Sequence, residues 1–419
     1  MRRWGTAWRA PNSAWRDDLP CPGKVQETQG FLTGVWGCPP EYIVLSLPLG
    51  EGVRAGRTGG TPSRAKFCEV KMTTQIQGAT FRYSHTIGRG EEAGPGFKNP
   101  VAVARGEGDM MYVVSRSYDY RADAKRVTIC TVGEEYIGEI GNAGRLGGEH
   151  MDSGESTADG SLIWPISIAL DREGNVYVSD EWLNRVSIFA KDGDWIGKWG
   201  IPGHGDGEVD RPSGIAFDRE DNLYVVDTGN NRIQKFTRDG QFLAKWGQEG
   251  SGDGEVNLPW GIDIDINGAV YLADWRNDRI QKFTPDGRFL MKFGASGTGD
   301  GEFNRPSGVA VDKEGIIYVA DWGNDRLQVF DADGRFITKI TGDATLSKWG
   351  NTKLDANPDM RKEREVAQGL EREKLFKGPI AVEVDDQDRI FVVDSQRNRI
   401  QIYRKIPPFF LGLYDGGRL

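Results

Sequence analysis

The chain has 419 residues, a net charge of −9 and a pI near 5.2, so its surface should repel phosphate backbones, which disfavours a nucleic-acid partner. No apolar run is long enough to span a bilayer, and the most apolar early stretch, residues 42–49, is too short and too far from the N-terminus for a signal peptide. Of the four cysteines, only Cys130 lies in the regular part of the chain. Disulfides therefore do not hold the fold, and we expect a cytoplasmic protein, with a secreted or periplasmic one as the alternative.

Residues 1–71 follow neither a strand nor a helix period and carry an excess of basic side chains. We interpret them as an irregular extension to a domain that occupies residues 72–419. One explanation is a disordered basic arm. The other is an over-extended reading frame, in which case the natural chain starts at Met72.

The regular part of the chain is built from repeats. Pro212, Pro259 and Pro306 recur every 47 residues, and each is followed by four short apolar runs. A fixed period in the forties with four strands per unit is typical of β-propeller blades. Six units can be aligned, and they begin at Pro100, Pro165, Pro212, Pro259, Pro306 and Pro379. The sequence therefore predicts an all-β fold, a six-bladed β-propeller of four-stranded antiparallel blades near residues 98–140, 162–200, 209–247, 256–294, 303–341 and 376–405.

Residue types at fixed distances from each proline explain how a unit would fold. Two residues on comes a small residue, as expected where inner strands crowd the axis: Ala102, Ser167, Gly214, Gly261, Gly308 and Ala381. Twelve residues on comes an aromatic residue, expected to pack between neighbouring sheets: Tyr112, Tyr177, Tyr224, Tyr271, Tyr318 and Phe391. Six residues on, five units carry the aspartate of a turn between the first two strands: Asp171, Asp218, Asp265, Asp312 and Asp385.

The two ends of the repeat region complement each other. Residues 80–88 resemble a fourth strand, because Tyr83 lies 17 residues before Pro100 just as Phe242 lies 17 residues before Pro259. The last unit ends after its third strand. We therefore expect the N-terminal strand to complete the final blade and close the ring, which removes the exposed sheet edges of an open array.

Three departures from the period mark insertions. The first unit has a longer connection at residues 116–125, and long links join units one and two (141–161) and units five and six (342–375). In the last of these, Asn357 followed by Pro358 is typical of a helix cap and first residue. The charged stretch that follows predicts one short helical insertion lying on the surface.

The repeated motifs resemble those of the NHL repeat. Pro-x-Gly-Ile/Val-Ala, Tyr-Val-x-Asp, Asn-x-Arg-Ile-Gln-x-Phe and Asp-Gly-x-Phe recur in order over residues 80–405. The resemblance implies a six-bladed propeller. It leaves function open, because the family includes RNA-binding and protein-binding modules, sensor domains and the peptidyl-hydroxyglycine amidating lyases.

Tryptophan and arginine side chains are expected around one opening of the ring. Links from strand two to strand three and from strand four to the next strand one emerge on the same face, which would also carry the large insertions. The candidate ligand-binding residues there are Trp164, Trp182, Arg211, Trp260, Trp275, Arg305 and Trp322. Stacking area combined with a few charges suits a peptide, a sugar or an aromatic small molecule. The alternative is that these side chains only pack between blades.

A repeated aspartate–arginine spacing is more consistent with a structural role. Five units place an arginine five residues after the aspartate that ends strand two: Asp180 and Arg185, Asp227 and Arg232, Asp274 and Arg279, Asp321 and Arg326, Asp394 and Arg399. One ligand could not use five equivalent pairs alike, so we interpret them as structural ion pairs.

Metal-dependent chemistry is the alternative that the resemblance implies. The amidating lyases hold zinc through three histidines, and this chain has three, of which His85 falls on the outer closing strand and His150 and His204 fall in loops. Propeller hydrolases with a central calcium use carboxylates on inner strands, where Asp263, Asp265 and Glu383 are available. No cofactor is expected from the residues themselves, and zinc or calcium stays an alternative.

The sequence favours a non-catalytic binding or scaffold propeller that recognises a protein or peptide on the insertion-bearing face. A metal-dependent lyase or hydrolase acting on a small molecule is the second hypothesis. An RNA-binding module is the third, and the acidic Gly-Asp-Gly-Glu links at residues 205–208, 252–255 and 299–302 count against it.

Overall fold

The computed structural model describes residues 75–76, 79–117, 124–141 and 159–406. The predicted extension at residues 1–71, the proposed start at Met72 and the candidate metal ligand His150 lie outside these residues. So does most of the link between the first two blades.

Six antiparallel sheets form the blades, in agreement with the prediction. From the axis outward, blade one contains β3 Pro100–Arg105, β4 Met110–Ser115, β5 Arg126–Thr131 and β6 Tyr136–Ile140. Blade two contains β7 Pro165–Leu170, β8 Val176–Asp180, β9 Arg185–Phe189 and β10 Trp195–Trp199. Blade three contains β13 Pro212–Phe217, β14 Asn222–Asp227, β15 Arg232–Thr237 and β16 Phe242–Trp246. A two-residue parallel pair, β11 Ile201–Pro202 and β12 Glu208–Val209, lies in the link between blades two and three.

The remaining blades follow the same order. Blade four contains β17 Ile262–Ile264, β18 Val270–Asp274, β19 Arg279–Phe283 and β20 Phe289–Phe293. Blade five contains β21 Pro306–Val311, β22 Ile317–Asp321, β23 Arg326–Phe330 and β24 Phe336–Ile340. Blade six contains β25 Pro379–Val384, β26 Arg389–Asp394 and β27 Arg399–Ile406. The first strand of each blade contacts the first strands of its two neighbours, so β3, β7, β13, β17, β21 and β25 encircle a central axis.

An N-terminal strand closes the ring, as predicted from the position of Tyr83. Strand β2, Ala79–Ile87, pairs antiparallel with β27, with Tyr83 opposite Tyr403 and Thr80 opposite Ile406. A short strand β1, Gln75–Ile76, adds a fifth strand outside it. The last blade therefore receives its outer strands from the start of the chain, which hides the edge of β27.

The repeated small and aromatic residues have the predicted packing roles. A Cβ added at Gly214 would meet the carbonyl oxygen of Trp260 at 2.5 Å, and one at Gly261 would meet that of Ser307 at 2.5 Å. The inner strands thus approach too closely for a larger residue. The six aromatic residues of the second strands, from Tyr112 to Phe391, are all buried, and they fill the layers between adjacent blades.

The insertion after blade five forms three short helices where one was expected. The predicted helix is α2, Pro358–Val366, and Asn357 caps it by accepting the N–H of Met360. Helices α1, Lys348–Asp355, and α3, Glu371–Lys374, flank it.

Helix α1 packs against the seam where the ring closes. The Trp349 ring lies edge-on to Phe97 with centroids 5.8 Å apart. The carboxylate of Glu134, from blade one, accepts the backbone N–H of Gly88 at 2.7 Å and of Trp349 at 3.1 Å. The insertion therefore connects the closing strand to the first blade. Among the described helices, none has the length and apolar character to cross a membrane.

Candidate functional site

In five blades, the aspartate that ends the second strand anchors the loop that follows it. Asp274 accepts hydrogen bonds from the backbone N–H of Asn257 and from the side chains of Asn277, Arg279 and Gln281, at 2.7 to 3.0 Å. The same ion pair recurs at Asp227–Arg232, Asp321–Arg326 and Asp394–Arg399, each at 2.7 Å. Each arginine also donates to carbonyls of the preceding link, so the pair fixes the loops of this face.

Blade two uses its aspartate differently. Asp180 accepts backbone N–H groups of Ile163, Trp164 and Leu183 at 2.8 to 3.2 Å. Arg185 donates to the hydroxyl of Ser187 and the carbonyl of Ser161. The end of the long link before this blade is thereby held by the carboxylate that binds an arginine side chain in blades three to six.

The inner strands begin on the face that carries these loops, and we call it the tryptophan face. Trp275 directly follows Asp274, the last residue of β18, and begins a single 3-10 turn. Its ring centroid lies 6.3 Å from that of Trp260, and the guanidinium carbon of Arg305 lies 4.9 Å from it. Arg276 approaches the same ring at 5.2 Å. Three of the predicted residues, Trp260, Trp275 and Arg305, thus form one cluster.

Trp275 itself is only 6% exposed, because Trp260 and Arg305 pack against it. A ligand on this face would reach Trp260, which is half-buried, before it reached Trp275. The backbone of Arg305 has a positive φ of 57°, a conformation that costs free energy for a residue other than glycine. The N–H of Arg305 donates to Oδ1 of Asp278 at 2.6 Å, which holds it there.

A second aromatic–cation contact lies across the ring. The guanidinium carbon of Arg116 is 4.4 Å from the Trp164 ring centroid, and its Nη2 is 3.2 Å from Glu181. Sequence reasoning placed Arg116 only at the start of an irregular connection. No repeat position marks it, so only the fold brings it to Trp164.

The other predicted residues are placed separately. Trp182 is 57% exposed and Trp322 is half-buried in the 3-10 turn after β22. Arg211 lies 3.7 Å from the carboxylate of Asp210. All three sit at the ends of strands on the tryptophan face, so the predicted residues share a face although they do not form one continuous cluster.

The acidic links carry less free charge than the sequence suggested. Glu255 and Glu302 accept backbone N–H groups within their own turns at 2.8 and 2.7 Å. Asp253 pairs with Lys292 at 2.6 Å and Asp300 with Lys339 at 2.7 Å. These motifs therefore shape the links and tie them to the outer strands.

The described histidines lie far apart in the fold. His204 Nδ1 is 2.5 Å from the side-chain oxygen of Asn230, and His85 Nε2 is 3.0 Å from the carbonyl of Val132. Within the described ranges, no group of three His, Cys, Asp or Glu side chains is placed to hold a metal ion. The zinc alternative thus gains no support from these residues.

A channel runs along the axis and widens on the side opposite the tryptophan face. The channel has a volume of about 260 Å³ and is lined by all six inner strands. It meets a mouth of about 840 Å³ formed by the turns between first and second strands, because Leu170 and Phe217 line both. We call this side the turn face. As predicted, the repeated aspartates shape its turns: Asp218 Oδ1, for example, accepts the N–H of Asn222 at 2.8 Å.

Two carboxylates line the channel, Asp263 and Glu383. Desolvation raises the pKa of Asp263 to about 7, although the N–H groups of Val311 and Ile264 donate to it. Desolvation and the charge of Asp263 raise the pKa of Glu383 to about 8. Both side chains are half-buried, because they face the channel. Asp265, the third predicted carboxylate, is instead committed to its turn and to Tyr271 at 3.2 Å.

Comparison with known proteins finds the repeat that the motifs resemble. A family model described as NHL repeat matches residues 210–236 and 303–330. The chain thus carries NHL repeats within a closed ring of six four-stranded blades, a six-bladed β-propeller. Among curated proteins, no sequence matches it at a significant level.

Solved structures share the fold at low sequence identity. A protein of unknown function from Bacteroides thetaiotaomicron is 17% identical, over 78% of this chain and 76% of that one, with a TM-score of 0.53. Virginiamycin B lyase from Staphylococcus aureus is 12% identical, over 78% and 88%, with a TM-score of 0.47. A chain of a nidogen–laminin complex is 18% identical, over 57% and 79%, with a TM-score of 0.42. At such identities these likenesses concern the fold alone.

Proposed function

We propose that this propeller is a non-catalytic binding module whose tryptophan face receives a segment of a protein or peptide partner. The observation that carries the proposal is the cluster of Trp260, Trp275 and Arg305 at the end of the channel. Trp260 packs against Trp275, and Arg305 packs against the same Trp275 ring, so the half-buried indole of Trp260 rests on a buried neighbour before a ligand arrives. Such pre-organised aromatic and arginine side chains supply much of the binding free energy at protein interfaces.

The charges on this face suggest what the segment carries. Arg276 is exposed and Arg305 is half-buried, Arg211 is half-buried beside Asp210, and the aspartates of two acidic links pair with Lys292 and Lys339. An arginine beside an indole suits a carboxylate next to an aromatic or aliphatic residue. We therefore expect a partner segment that presents an apolar side chain close to Asp, Glu or a C-terminal carboxylate.

The test is a peptide selection followed by mutation of the face. Peptides would be selected from a random displayed library on the purified full chain. Their affinity would then be measured for the wild type and for Trp260→Ala. We expect at least a tenfold weaker affinity, because an interface tryptophan typically contributes about 2 kcal/mol or more. Trp275 is a poor choice for this test, since removing a buried tryptophan would also destabilise the blade.

The matched control is Ile196→Ala. Ile196 is 53% exposed on the outer strand β10, away from the proposed face, so this change should alter affinity less than twofold. Selected peptides that bind the Trp260 variant as tightly as the wild type would place the partner elsewhere. A selection that enriches no peptide would contradict the proposed function itself.

A further inference from the structure

Two blades break the repeat at one position inside the channel. The fourth residue after the strand-one proline is alanine in four blades, Ala104, Ala169, Ala216 and Ala310, but it is Asp263 in blade four and Glu383 in blade six. The four alanines show that a small apolar residue satisfies the fold at this position. Asp263 accepts a backbone N–H from Val311 of the neighbouring blade, so Glu383 in particular needs an explanation other than blade structure.

The surrounding residues do not neutralise the two carboxylates. On the turn face, Asp218 lies 2.8 Å from Lys235 and Asp385 lies 2.6 Å from Arg389, so these two repeated aspartates have cationic partners. Among the described residues, the hydrogen-bond donors to Asp263 are backbone N–H groups, those of Val311 at 2.7 Å and Ile264 at 2.8 Å. Within the described part of the chain, Glu383 has neither a hydrogen bond nor an ion pair, and it lies in the channel wall.

The nearest cation is already committed. Arg105, also in the channel wall, donates to the carbonyls of Met110 at 2.8 Å and Gly108 at 3.0 Å. Its guanidinium carbon lies 4.8 Å from the Phe391 ring centroid. Arg105 thus acts on Glu383 only through its charge and makes no hydrogen bond to it. Asp263 and Glu383 lie in the same narrow channel, where the charge of Asp263 acts on Glu383. Burying such groups costs free energy unless a cation compensates them.

We propose that Asp263 and Glu383 bind an organic ammonium group, the end of a lysine side chain or of a free primary amine, that enters the channel from the turn face. An ammonium has three N–H donors and a compact charge, so two carboxylates can satisfy most of it. The mouth of about 840 Å³ would admit the ligand, and the channel of about 260 Å³ has room for an alkyl stem. A metal ion fits less well, because no third His, Cys, Asp or Glu ligand joins the pair among the described residues.

The site uses other side chains than the tryptophan face, although Trp260 lines the same channel. It opens on the opposite side of the disc and uses none of the residues in the proposed peptide site. Binding should release protons near neutral pH, because an ammonium favours the charged form of both carboxylates, whose pKa values burial has raised. Proton release distinguishes this site from an ordinary apolar pocket.

The experiment is a titration of the full chain with n-butylamine and, in a second arm, with Nα-acetyl-lysine amide, followed by calorimetry in buffers of different ionisation enthalpy. We expect saturable binding with proton release and no binding of the Nε-acetylated lysine derivative. Equal affinity for both amines identifies a free amine as the ligand class, and tighter binding of the lysine derivative identifies a lysine side chain.

The decisive variant is Glu383→Ala, which installs the residue that four blades already carry and should therefore fold. It should weaken amine binding at least tenfold, whereas Glu220→Ala, an exposed carboxylate at the mouth, should change it less than twofold. Absence of amine binding, equal binding of the acetylated control or unchanged binding by the Glu383 variant would overturn the proposal. Unit-stoichiometry binding of calcium that displaces butylamine would also overturn it, in favour of a metal site.

Discussion

The backbone N–H of Gly378 donates to Oδ1 of Asp325 at 2.7 Å, although the two residues are 53 positions apart. Regular neighbouring blades make the same contact over 27 positions, for example from Leu258 to Asn231 at 2.7 Å. At the ring closure it runs from Asn99 to Asn398, also at 2.7 Å. The helical insertion therefore adds residues between blades five and six without changing how the two blades are joined.

The hydrogen bond between Asp325 and Gly378 predicts different changes in stability for two substitutions of Asp325. Asp325 has a positive φ of 53°, so Asp325→Gly keeps the backbone conformation and removes only the acceptor. We expect a loss of about 1 kcal/mol in the free energy of unfolding, the value of one such hydrogen bond. Asp325→Asn keeps the acceptor and the left-handed conformation, as Asn231 does, and should be near neutral. Urea denaturation measures both, and equal stabilities for the two variants would contradict a role for the contact.

The seam of the ring should depend on Trp349. The side chain of Trp349 is 7% exposed and belongs to a buried cluster. That cluster includes Ile87, the last residue of the closing strand β2, and Phe97, which follows the strand in the sequence. Replacing Trp349 with alanine removes a buried tryptophan, so we expect a loss of about 3 kcal/mol or more. Thermal unfolding would measure this loss, and hydrogen exchange should show strand β2 losing protection first.

The control for that prediction lies in the same insertion. Val366 is 80% exposed at the end of α2, and Val366→Ala should change stability by less than about 0.5 kcal/mol. If the Trp349 variant were equally mild, the insertion would not contribute to ring closure.

The channel carboxylates predict how stability depends on pH. Burial raises the pKa of Glu383 from its usual value of 4.5 to about 8, and the charges of Asp263, Arg105 and Asp385 also act on it. The folded state therefore binds this proton more tightly than the unfolded state does. The stability that this proton contributes to the folded state is fully present below about pH 4.5, and it is lost as the pH rises toward 8.

The variant Glu383→Ala removes that dependence. Between about pH 5 and pH 8, the wild type should lose on the order of 2 kcal/mol of stability relative to the variant. Urea denaturation of both proteins at the two pH values measures the difference. Parallel changes in the two proteins would show that Glu383 titrates normally.

Much of the fold was predictable from the sequence, for physical reasons. The offset of Tyr83 from Pro100 matches the spacing inside complete blades, and pairing of β2 with β27 confirmed the closure. The small residue at Gly261 is required by the backbone it touches. Such features repeat because each blade meets the same neighbours, and a repeat is what a single sequence displays most clearly.

The site was less predictable because its residues do not repeat. Nothing in the sequence shows that Trp275 is covered by Trp260 and Arg305, since that depends on how two blades meet. The contact of Arg116 with Trp164 likewise depends on the fold. The aligned repeats show that Asp263 and Glu383 stand where four blades have alanine. Only the three-dimensional structure shows that this position lines the channel. Only the structure shows, too, that Glu383 has no ion-pair partner among the described residues.

The pairing at the seam also determines how the ring would respond to mechanical tension. Thr80 lies opposite Ile406, so the chain enters β2 and leaves β27 at the same end of the antiparallel pair. A force applied through the two flanking segments would first open the short pair of β1 with β2, and would then load the rung of Thr80 and Ile406 and separate the seam one rung at a time. Peeling of this kind yields at lower force than shearing several hydrogen bonds together, so we expect the seam to be the part of the ring that opens first under such a pull.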